Sequence, residues 1–209
     1  RRGTIIGTGE RLVKHAVIFA HPKAESFTGS VAKAYAEAAA ALGHQVVMRD
    51  LYRMNFDPRL PEDELPFAGG PHPGADVAAE RELLADANVF ALIYPFWLNA
   101  PPAILKGYLD RVFGYGFAYG RGGRSEPLLQ GKFLITFSSS GAPLDWVRRT
   151  GTFAATGKLF DSYFAELCGL TFLDHFHFGG IVPMIRADAV AAKLDSVREA
   201  VKKYFGRQQ

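Results

Sequence analysis

The sequence is short of cysteine, of long apolar runs and of charge of one sign, and each shortage excludes a class of protein. The single cysteine, Cys168, excludes an internal disulfide framework and fits a reducing compartment. No apolar run approaches the roughly 20 residues that a membrane-spanning helix needs, and residues 1–14 lack the apolar stretch of a secretory signal. We therefore expect a cytoplasmic protein with no membrane insertion.

The basic excess is small and lies at one end of the chain. Residues 1–14 contain four basic residues and one acidic residue, which accounts for the whole net charge of +3. A nucleic-acid-binding protein needs a basic face on its folded domain, and the rest of this chain is neutral. We expect no nucleic-acid partner, and we interpret residues 1–14 as an N-terminal extension that precedes one domain over residues 15–209.

Short apolar runs alternate with segments of helical periodicity along that domain. The pattern predicts strands over residues 15–20, 45–50, 89–95, 132–137 and 171–178. It predicts helices over residues 28–42, 76–87, 102–113, 157–168 and 188–205, with Asp76 as one helix cap. Parallel strands need helix-length crossovers, so we expect an α/β fold: a flavodoxin-like three-layer sandwich with a five-stranded parallel sheet.

The ligand site of such a sheet lies beyond the carboxyl ends of its strands, where the winding reverses. In the flavodoxin-like strand order, the loops after the first, third and fourth strands line this crevice. The first loop, residues 21–30, joins a strand to a helix N-terminus and carries several hydroxyl groups. Such a turn attracts a phosphate, although it lacks both the dinucleotide and the Walker glycine patterns. The alternative is an ordinary capped turn.

The other two loops differ from the first in character. Residues 95–102 place large aromatic side chains among prolines, which predicts a rigid apolar ledge for a flat heteroaromatic ring. Their alternative role is core or interface packing. Residues 138–141 are small and polar, and we expect them to offer backbone N–H donors at close approach.

Four segments, residues 14–27, 50–58, 101–113 and 116–119, resemble the NAD(P)H:quinone oxidoreductases of the DT-diaphorase type. The resemblance extends over residues 14–205. It implies a homodimer that binds FAD or FMN, takes a hydride from NAD(P)H and reduces a quinone by two electrons. If both substrates use one face of the ring, a ping-pong cycle follows. Residues 51–56 resemble the FAD-binding members more closely, so we expect FAD, with FMN as the alternative.

The resemblance also implies roles for residues of the three loops. The residues expected to hold the flavin phosphates are His21, Ser26, Phe27, Thr28 and Ser30. Those expected to border the isoalloxazine ring are Pro95, Phe96, Trp97 and Leu98 on one side and Ser139, Ser140 and Gly141 on the other.

This chain departs from the family pattern after the fourth strand. The family has a Gly-Gly turn followed by a Tyr and a His that face the flavin, whereas residues 142–151 contain neither. One guanidinium, from Arg148 or Arg149, is then the expected side-chain donor to the reduced ring, and the alternative is that both are solvated loop charges. Trp97 is the third catalytic candidate. The family's pair of tyrosines is replaced at residues 120–124, which leaves the choice of acceptor open.

Two other functions fit a flavodoxin-like chain. A single-electron carrier usually has an acidic docking face, which this neutral domain lacks. An ancillary flavoprotein subunit of a transporter is the other alternative. His175 and His177 alternate on the last strand, but no third ligand has a matching spacing, so we expect no metal. The aromatic residues Phe113, Tyr115, Phe117 and Tyr119 predict an exposed surface for a second copy.

Overall fold

The computed structural model describes residues 12–66, 72–121 and 124–206. Its strands are β1 (Lys14–Phe19), β2 (Gln45–Asp50), β3 (Val89–Pro95), β4 (Tyr119–Arg121), β5 (Arg124–Pro127), β6 (Phe133–Ser139) and β7 (Thr171–Phe178). Its α-helices are α1 (Phe27–Ala41), α2 (Ala75–Leu84), α3 (Ala103–Val112), α4 (Leu144–Arg149), α5 (Thr152–Thr156), α6 (Tyr163–Cys168) and α7 (Ala187–Phe205). A 3₁₀ turn covers Glu62–Glu64, and a π-helical segment, Gly157–Ser162, joins α5 to α6.

The main sheet has five parallel strands in the order β2-β1-β3-β6-β7. Helices α1 and α7 bury one of its faces, and α2, α3 and α6 bury the other. All seven residues of β3 are buried, because a strand covered on both sides has no solvent face. The predicted α/β three-layer fold is confirmed.

The winding reverses between β1 and β3. The chain passes from β1 to β2 at one edge and then crosses to β3 on the other side of β1. Because the strands are parallel, the loops after β1, β3 and β6 leave the same edge of the sheet. This edge holds the crevice that the sequence predicted.

The fourth predicted strand ends two residues later than expected. β6 continues to Ser139 because Ser138 and Ser139 pair in register with Tyr94 and Pro95 of β3. Both serines are buried. The prediction of a loop beginning at Ser138 is therefore wrong, and the turn itself begins at Ser140.

Several short elements escaped prediction. Helices α4 and α5 occupy residues that show no long helical periodicity, and β4 and β5 form a small antiparallel ribbon. The cap of α2 was also predicted wrongly, because Gly74 holds that position and Asp76 lies in the first turn. The Asp76 carboxylate instead binds Arg111 of α3, with 2.8 Å between Nη1 and Oδ2.

The segment before α2 is fixed to α3 by a buried arginine. The Arg111 guanidinium, 5% exposed as a residue, donates to both carboxylate oxygens of Glu64 at 2.7 and 2.9 Å. It also donates to the Asp57 carbonyl at 2.7 Å. The hydrogen bonds to Glu64 raise the pKa of Arg111 above its usual range. One side chain thus secures the 3₁₀ turn and the loop that leads to it.

The predicted aromatic patch is less exposed than expected, because Phe113 is buried and the other three aromatic side chains are half-buried. Phe113 is 2% exposed, and Phe117 and Tyr119 pack against the core formed by α2, α3 and α6. Cys168 is fully buried in the same core, as predicted. No helix in the described ranges is long and apolar enough to cross a membrane. Residues 1–11 lie outside the described residues, so the boundary at residue 14 stays a prediction.

Candidate functional site

The three predicted loops meet at the carboxyl edge of the sheet. The Ala20 N–H donates to the Ile93 carbonyl at 3.1 Å, which joins the end of β1 to β3. The Phe96 N–H donates to the Ser139 carbonyl at 2.6 Å, which joins the end of β3 to β6. The rings of His21 and Trp97 lie 5.8 Å apart between centroids, so the first two loops also touch through side chains.

The first loop is built as a helix cap. The Ser26 hydroxyl accepts from the Gly29 N–H at 3.1 Å, and the Ser30 hydroxyl donates to the Ser26 carbonyl at 3.1 Å. A side chain at Gly29 would meet the Ala24 carbonyl oxygen at 2.0 Å, so glycine permits this close turn. The first turn of α1 contains no acidic residue, which leaves the positive end of the helix free to attract an anion.

The predicted phosphate-binding residues differ in how accessible they are. His21 Nδ1 lies 3.1 Å from the Lys23 backbone nitrogen and 3.0 Å from the Lys23 carbonyl oxygen. In the tautomer in which Nδ1 accepts from the Lys23 N–H, Nε2 carries a proton that can be donated to a ligand. Thr28 is buried, and the Ser30 proton is used within the turn. The Phe27 ring packs edge-on against Phe178 at 5.5 Å, which is a packing role. The cap of α1, with His21 beside it, is the part of this group best placed for a phosphate.

The second loop contains a tight turn in a rare backbone conformation. Trp97 and Ala100 exchange backbone hydrogen bonds at 3.0 and 3.1 Å. Between them Leu98 and Asn99 have φ values of 51° and 61°, in a region that non-glycine residues rarely adopt. Leu98 is fully exposed and Trp97 is 42% exposed. Strained backbone with exposed apolar side chains is typical of ligand sites.

Pro95 and Phe96 lie beneath this turn. Phe96 is 7% exposed, and its ring lies 4.6 Å from that of His177. The alternative of core packing therefore holds for Phe96, whereas Trp97 and Leu98 form the surface ledge.

The third loop offers fewer donors than the sequence suggested. The Ser140 N–H donates to the Phe178 carbonyl at 3.0 Å, so the prediction of a free backbone donor at this residue is wrong. Ser139 is 5% exposed. Gly141 is exposed, and a side chain there would meet only the Ile181 carbonyl, at 3.8 Å. The exposed Gly141 marks the open part of this rim.

The two candidate arginines lie in the last turn of α4, and both are exposed. The Arg148 charge is close enough to help lower the pKa of His177, which places it near the crevice. In the part of the chain that the structure describes, no contact links Arg149 to the crevice. Arg148 is therefore the better placed of the two.

A histidine that the sequence did not predict at the site contacts Ser140. The Ser140 hydroxyl lies 2.9 Å from His177 Nε2. A histidine therefore does reach this loop, but it comes from β7. The signal was present in the alternation of His175 and His177, which pair in register with Thr136 and Ser138 of β6. Within the described residues no group of three or more His, Cys, Asp or Glu side chains is arranged to hold a metal.

A family model described as a flavodoxin-like fold matches residues 13–204. An uncharacterized NAD(P)H oxidoreductase from Haemophilus influenzae is 34% identical over 81% of this chain and 85% of its own. The solved NAD(P)H:quinone oxidoreductase from Methanothermobacter marburgensis is 30% identical with a TM-score of 0.79, covering 91% of this chain and 96% of its own. General stress protein 14 from Treponema denticola, solved in complex with FMN, shares the fold at 23% identity and a TM-score of 0.63, over 90% and 95% of the two chains.

Proposed function

This chain belongs to the NAD(P)H oxidoreductase family with the flavodoxin-like fold, and from that premise we propose that its crevice binds a flavin which passes a hydride from NAD(P)H to a quinone. The observation that carries the proposal is the pairing of two features at one edge of the sheet. These are an α1 helix whose first turn has no acidic residue and the exposed Trp97–Leu98 ledge, in which Leu98 has a left-handed backbone.

The residues present fit a flavin. Its phosphate would bind the N–H groups at the start of α1, with the Ser26 hydroxyl and the His21 ring as further donors. Its ring system would lean on Trp97 and Leu98. A bound flavin supplies the two-electron chemistry, and the protein supplies position and electrostatics. We propose FAD, with FMN as the alternative, since the treponemal fold neighbour was solved with FMN.

Binding of the flavin tests this proposal directly. Flavin-free protein titrated with FAD and with FMN should quench the flavin fluorescence at about one flavin per chain. Ser26→Ala should weaken binding by roughly tenfold or more, because a hydrogen bond to a charged group contributes about 1.5–3 kcal/mol. Ser196→Ala, on the exposed surface of α7, is the matched control and should change nothing. Wild-type protein that takes up neither flavin would refute the proposal.

A ping-pong order is part of the proposal. The ring would be closed on one side by the buried ends of β3 and β6, so nicotinamide and quinone would enter in turn from the open side. Initial-rate plots at several fixed quinone concentrations should then give parallel lines. Intersecting lines would require both substrates to be bound together.

We also propose a homodimer, formed through a groove on the α3–α6 side of the domain. The groove has a volume of about 260 Å³. Its lining includes Leu60, Leu159 and Tyr163, which are 43%, 73% and 62% exposed. Lys106 and Asp110 lie at the same groove as an ion pair. A two-fold interface needs a self-complementary patch, and apolar residues beside a pair of opposite charges provide one.

The oligomeric state tests the groove. Sedimentation at micromolar concentration should show a dimer, and Leu159→Glu should dissociate it. Leu12→Glu is the control, because Leu12 is comparably exposed at 68% and lies outside the groove. A wild-type monomer would contradict this part of the proposal.

The two alternative functions, a single-electron carrier and a transporter subunit, are not favoured, since the relatives are named as oxidoreductases. A cytoplasmic location stays a prediction from the single cysteine.

A further inference from the structure

A chain of short hydrogen bonds runs from the rim of the crevice into the core. It starts at the Ser140 hydroxyl, 2.9 Å from His177 Nε2. His177 Nδ1 lies 2.7 Å from the Ser138 hydroxyl, which lies 2.6 Å from His175 Nε2. His175 Nδ1 lies 2.6 Å from Oδ2 of Asp161, which belongs to the π-helical segment. We call these five residues the Ser140–Asp161 chain.

Water has little access to the inner part of this chain. Asp161 is 0% exposed and Ser138 is 2% exposed, while His175 and His177 are 9% and 8% exposed. The rings of Phe96 and Phe153 lie against both imidazoles at 4.6–6.0 Å between centroids. Only the outer end, at Ser140, is partly exposed. Among the described residues, a proton on the inner groups therefore has one hydrogen-bonded route to the crevice.

With His175 neutral, the direction of every hydrogen bond in the chain is determined. The Asp161 carboxylate accepts from the Thr136 hydroxyl and from His175 Nδ1–H. His175 Nε2 must then accept the Ser138 proton. Ser138 has no second proton, so its oxygen accepts from His177 Nδ1–H. His177 Nε2 is left to accept the Ser140 proton.

Adding one proton reverses the three bonds between His175 and Ser140 and leaves no group of the chain without a partner, while both bonds to the Asp161 carboxylate keep their direction. His175 then donates from both nitrogens, and Ser138 donates to His177 Nδ1. His177 donates from Nε2 to the Ser140 oxygen. The Ser140 proton turns to the Ala142 carbonyl, which lies 2.9 Å from Oγ. The two contacts of the Ser140 hydroxyl thus correspond to the two protonation states of the chain.

We propose that the Ser140–Asp161 chain is a proton relay, which stores one proton on the His175–Asp161 pair and delivers it through Ser140 to the crevice. The inference rests on the proposed function, whose reaction, NAD(P)H + H⁺ + quinone giving NAD(P)⁺ + hydroquinone, consumes one proton besides the hydride. On delivery the acceptor oxygen takes the Ser140 proton, and Ser140 takes that of His177 Nε2. His177 Nδ1 takes the Ser138 proton, and Ser138 takes that of His175 Nε2. His175 returns to neutral, and a proton from solvent later reverses the sequence.

The charges around the two imidazoles determine where the stored proton rests. Burial lowers the pKa of His177 to about 4, with His175, Arg148 and Lys193 adding to the effect. His177 therefore passes a proton on and does not keep it. The Asp161 carboxylate, hydrogen-bonded to His175 Nδ1, is the negative charge beside the stored proton. The Tyr94 hydroxyl, a buried group with no hydrogen-bond partner among the described atoms, stays protonated because burial and Asp161 raise the pKa of Tyr94.

Nitrogen NMR of the histidine rings tests the relay without relying on activity. Protein labelled with ¹⁵N-histidine is titrated from about pH 9 to pH 5, both flavin-free and flavin-loaded. As His175 gains its second proton, His177 should switch from the Nδ1–H to the Nε2–H form at the same pH while staying neutral. A His177 ring that keeps one form throughout, or a His175 ring that never gains a proton, would overturn the relay.

Variants separate a relay from a merely structural network. In Ser138→Ala, the change of His177 from the Nδ1–H to the Nε2–H form should no longer occur at the pH at which His175 gains its second proton. Thr136→Val is the matched control, because it removes a hydrogen bond to the same carboxylate but lies off the route, so the coupling should persist. If Ser138→Ala does not fold, Asp161→Asn gives the second test, and both titrations should move together to lower pH. A coupling that survives in Ser138→Ala, or two titrations that separate in Asp161→Asn, would contradict the relay.

The rate of quinone reduction tests whether the relay contributes to catalysis. In Ser138→Ala the rate of quinone reduction should fall by roughly 100-fold, the lower range for losing a positioned proton donor, with flavin affinity unchanged. The NMR result on flavin-free protein does not depend on quinone reduction, and flavin titration does not depend on the relay. The NMR experiment can therefore refute the relay while the flavin titration supports the proposed function, and the reverse can also occur.

Discussion

Removing the Arg111 side chain should lower the free energy of unfolding more than breaking an exposed ion pair does. Arg111→Met would leave the Glu64 carboxylate, with 3% of its side chain exposed, without its charged partner, so that the Gly74 N–H alone would donate to it. Breaking a buried pair from one side costs about 3–5 kcal/mol because the remaining charge stays buried. The free energy of unfolding of a domain is about 5–15 kcal/mol, so the loss would be about a fifth of it or more. Urea unfolding followed by circular dichroism measures it.

Two further variants make this prediction sharp. Arg198→Met breaks an ion pair of similar length, 2.8 Å, whose side chains are 45% and 71% exposed, and it should cost less than about 1 kcal/mol. The double variant Arg111→Met/Glu64→Leu should recover most of the loss, because no buried charge remains unpaired. A loss below about 1 kcal/mol in Arg111→Met, or no recovery in the double variant, would refute the reasoning.

The remaining predictions concern acid stability and the ledge. Burial and the neighbouring His44 lower the pKa of His15 to about 3, so as the pH falls below ~6.5 the unfolded chain binds this proton first. The free energy of unfolding is therefore unaffected by this group above about pH 6.5 and falls by roughly 4 kcal/mol between there and pH 3. Urea unfolding at a series of pH values should show a smaller fall in His15→Gln than in the wild type. Trp97→Ala should weaken flavin binding by roughly two- to tenfold in fluorescence titrations, the effect of about 0.5–1.5 kcal/mol of ring contact. Leu98→Gly should leave the melting temperature nearly unchanged, because relief of about 1–2 kcal/mol of left-handed strain offsets the entropy of glycine.

The sequence predicted the fold because its strongest patterns are also the ones that the tertiary structure uses. Strands β3 and β7 have the predicted bounds, and both read as apolar or alternating runs between turn residues. Helix α7 begins one residue earlier than predicted. The short helix α4 was missed because its six residues are too few to show a period. Its one buried residue, Val147, is held by the core and not by any local pattern.

The site was predictable in its location and less so in its details. Parallel pairing brings the loops after β1, β3 and β6 together, and that follows from strand order alone. Which donors are free does not follow, because the Ser140 N–H is taken by Phe178 of a neighbouring strand. The partners of His175 could not be read either, since Asp161 comes from a separate helical segment and its approach depends on packing.

One extra residue in β7 determines whether the Ser140–Asp161 chain can exist. Leu134 pairs with Phe172, but the next residue of β6 pairs with Asp174, so Leu173 is an insertion in the ladder. Without this bulge, Ser138 would pair with Phe176 instead of His177, because a shift of one residue turns each side chain to the other face of the sheet. Both imidazoles would then face the α1–α7 layer and lie away from Asp161. The bulge is therefore a condition for the proposed relay, and it accounts for an edge strand that carries histidines among aromatic residues.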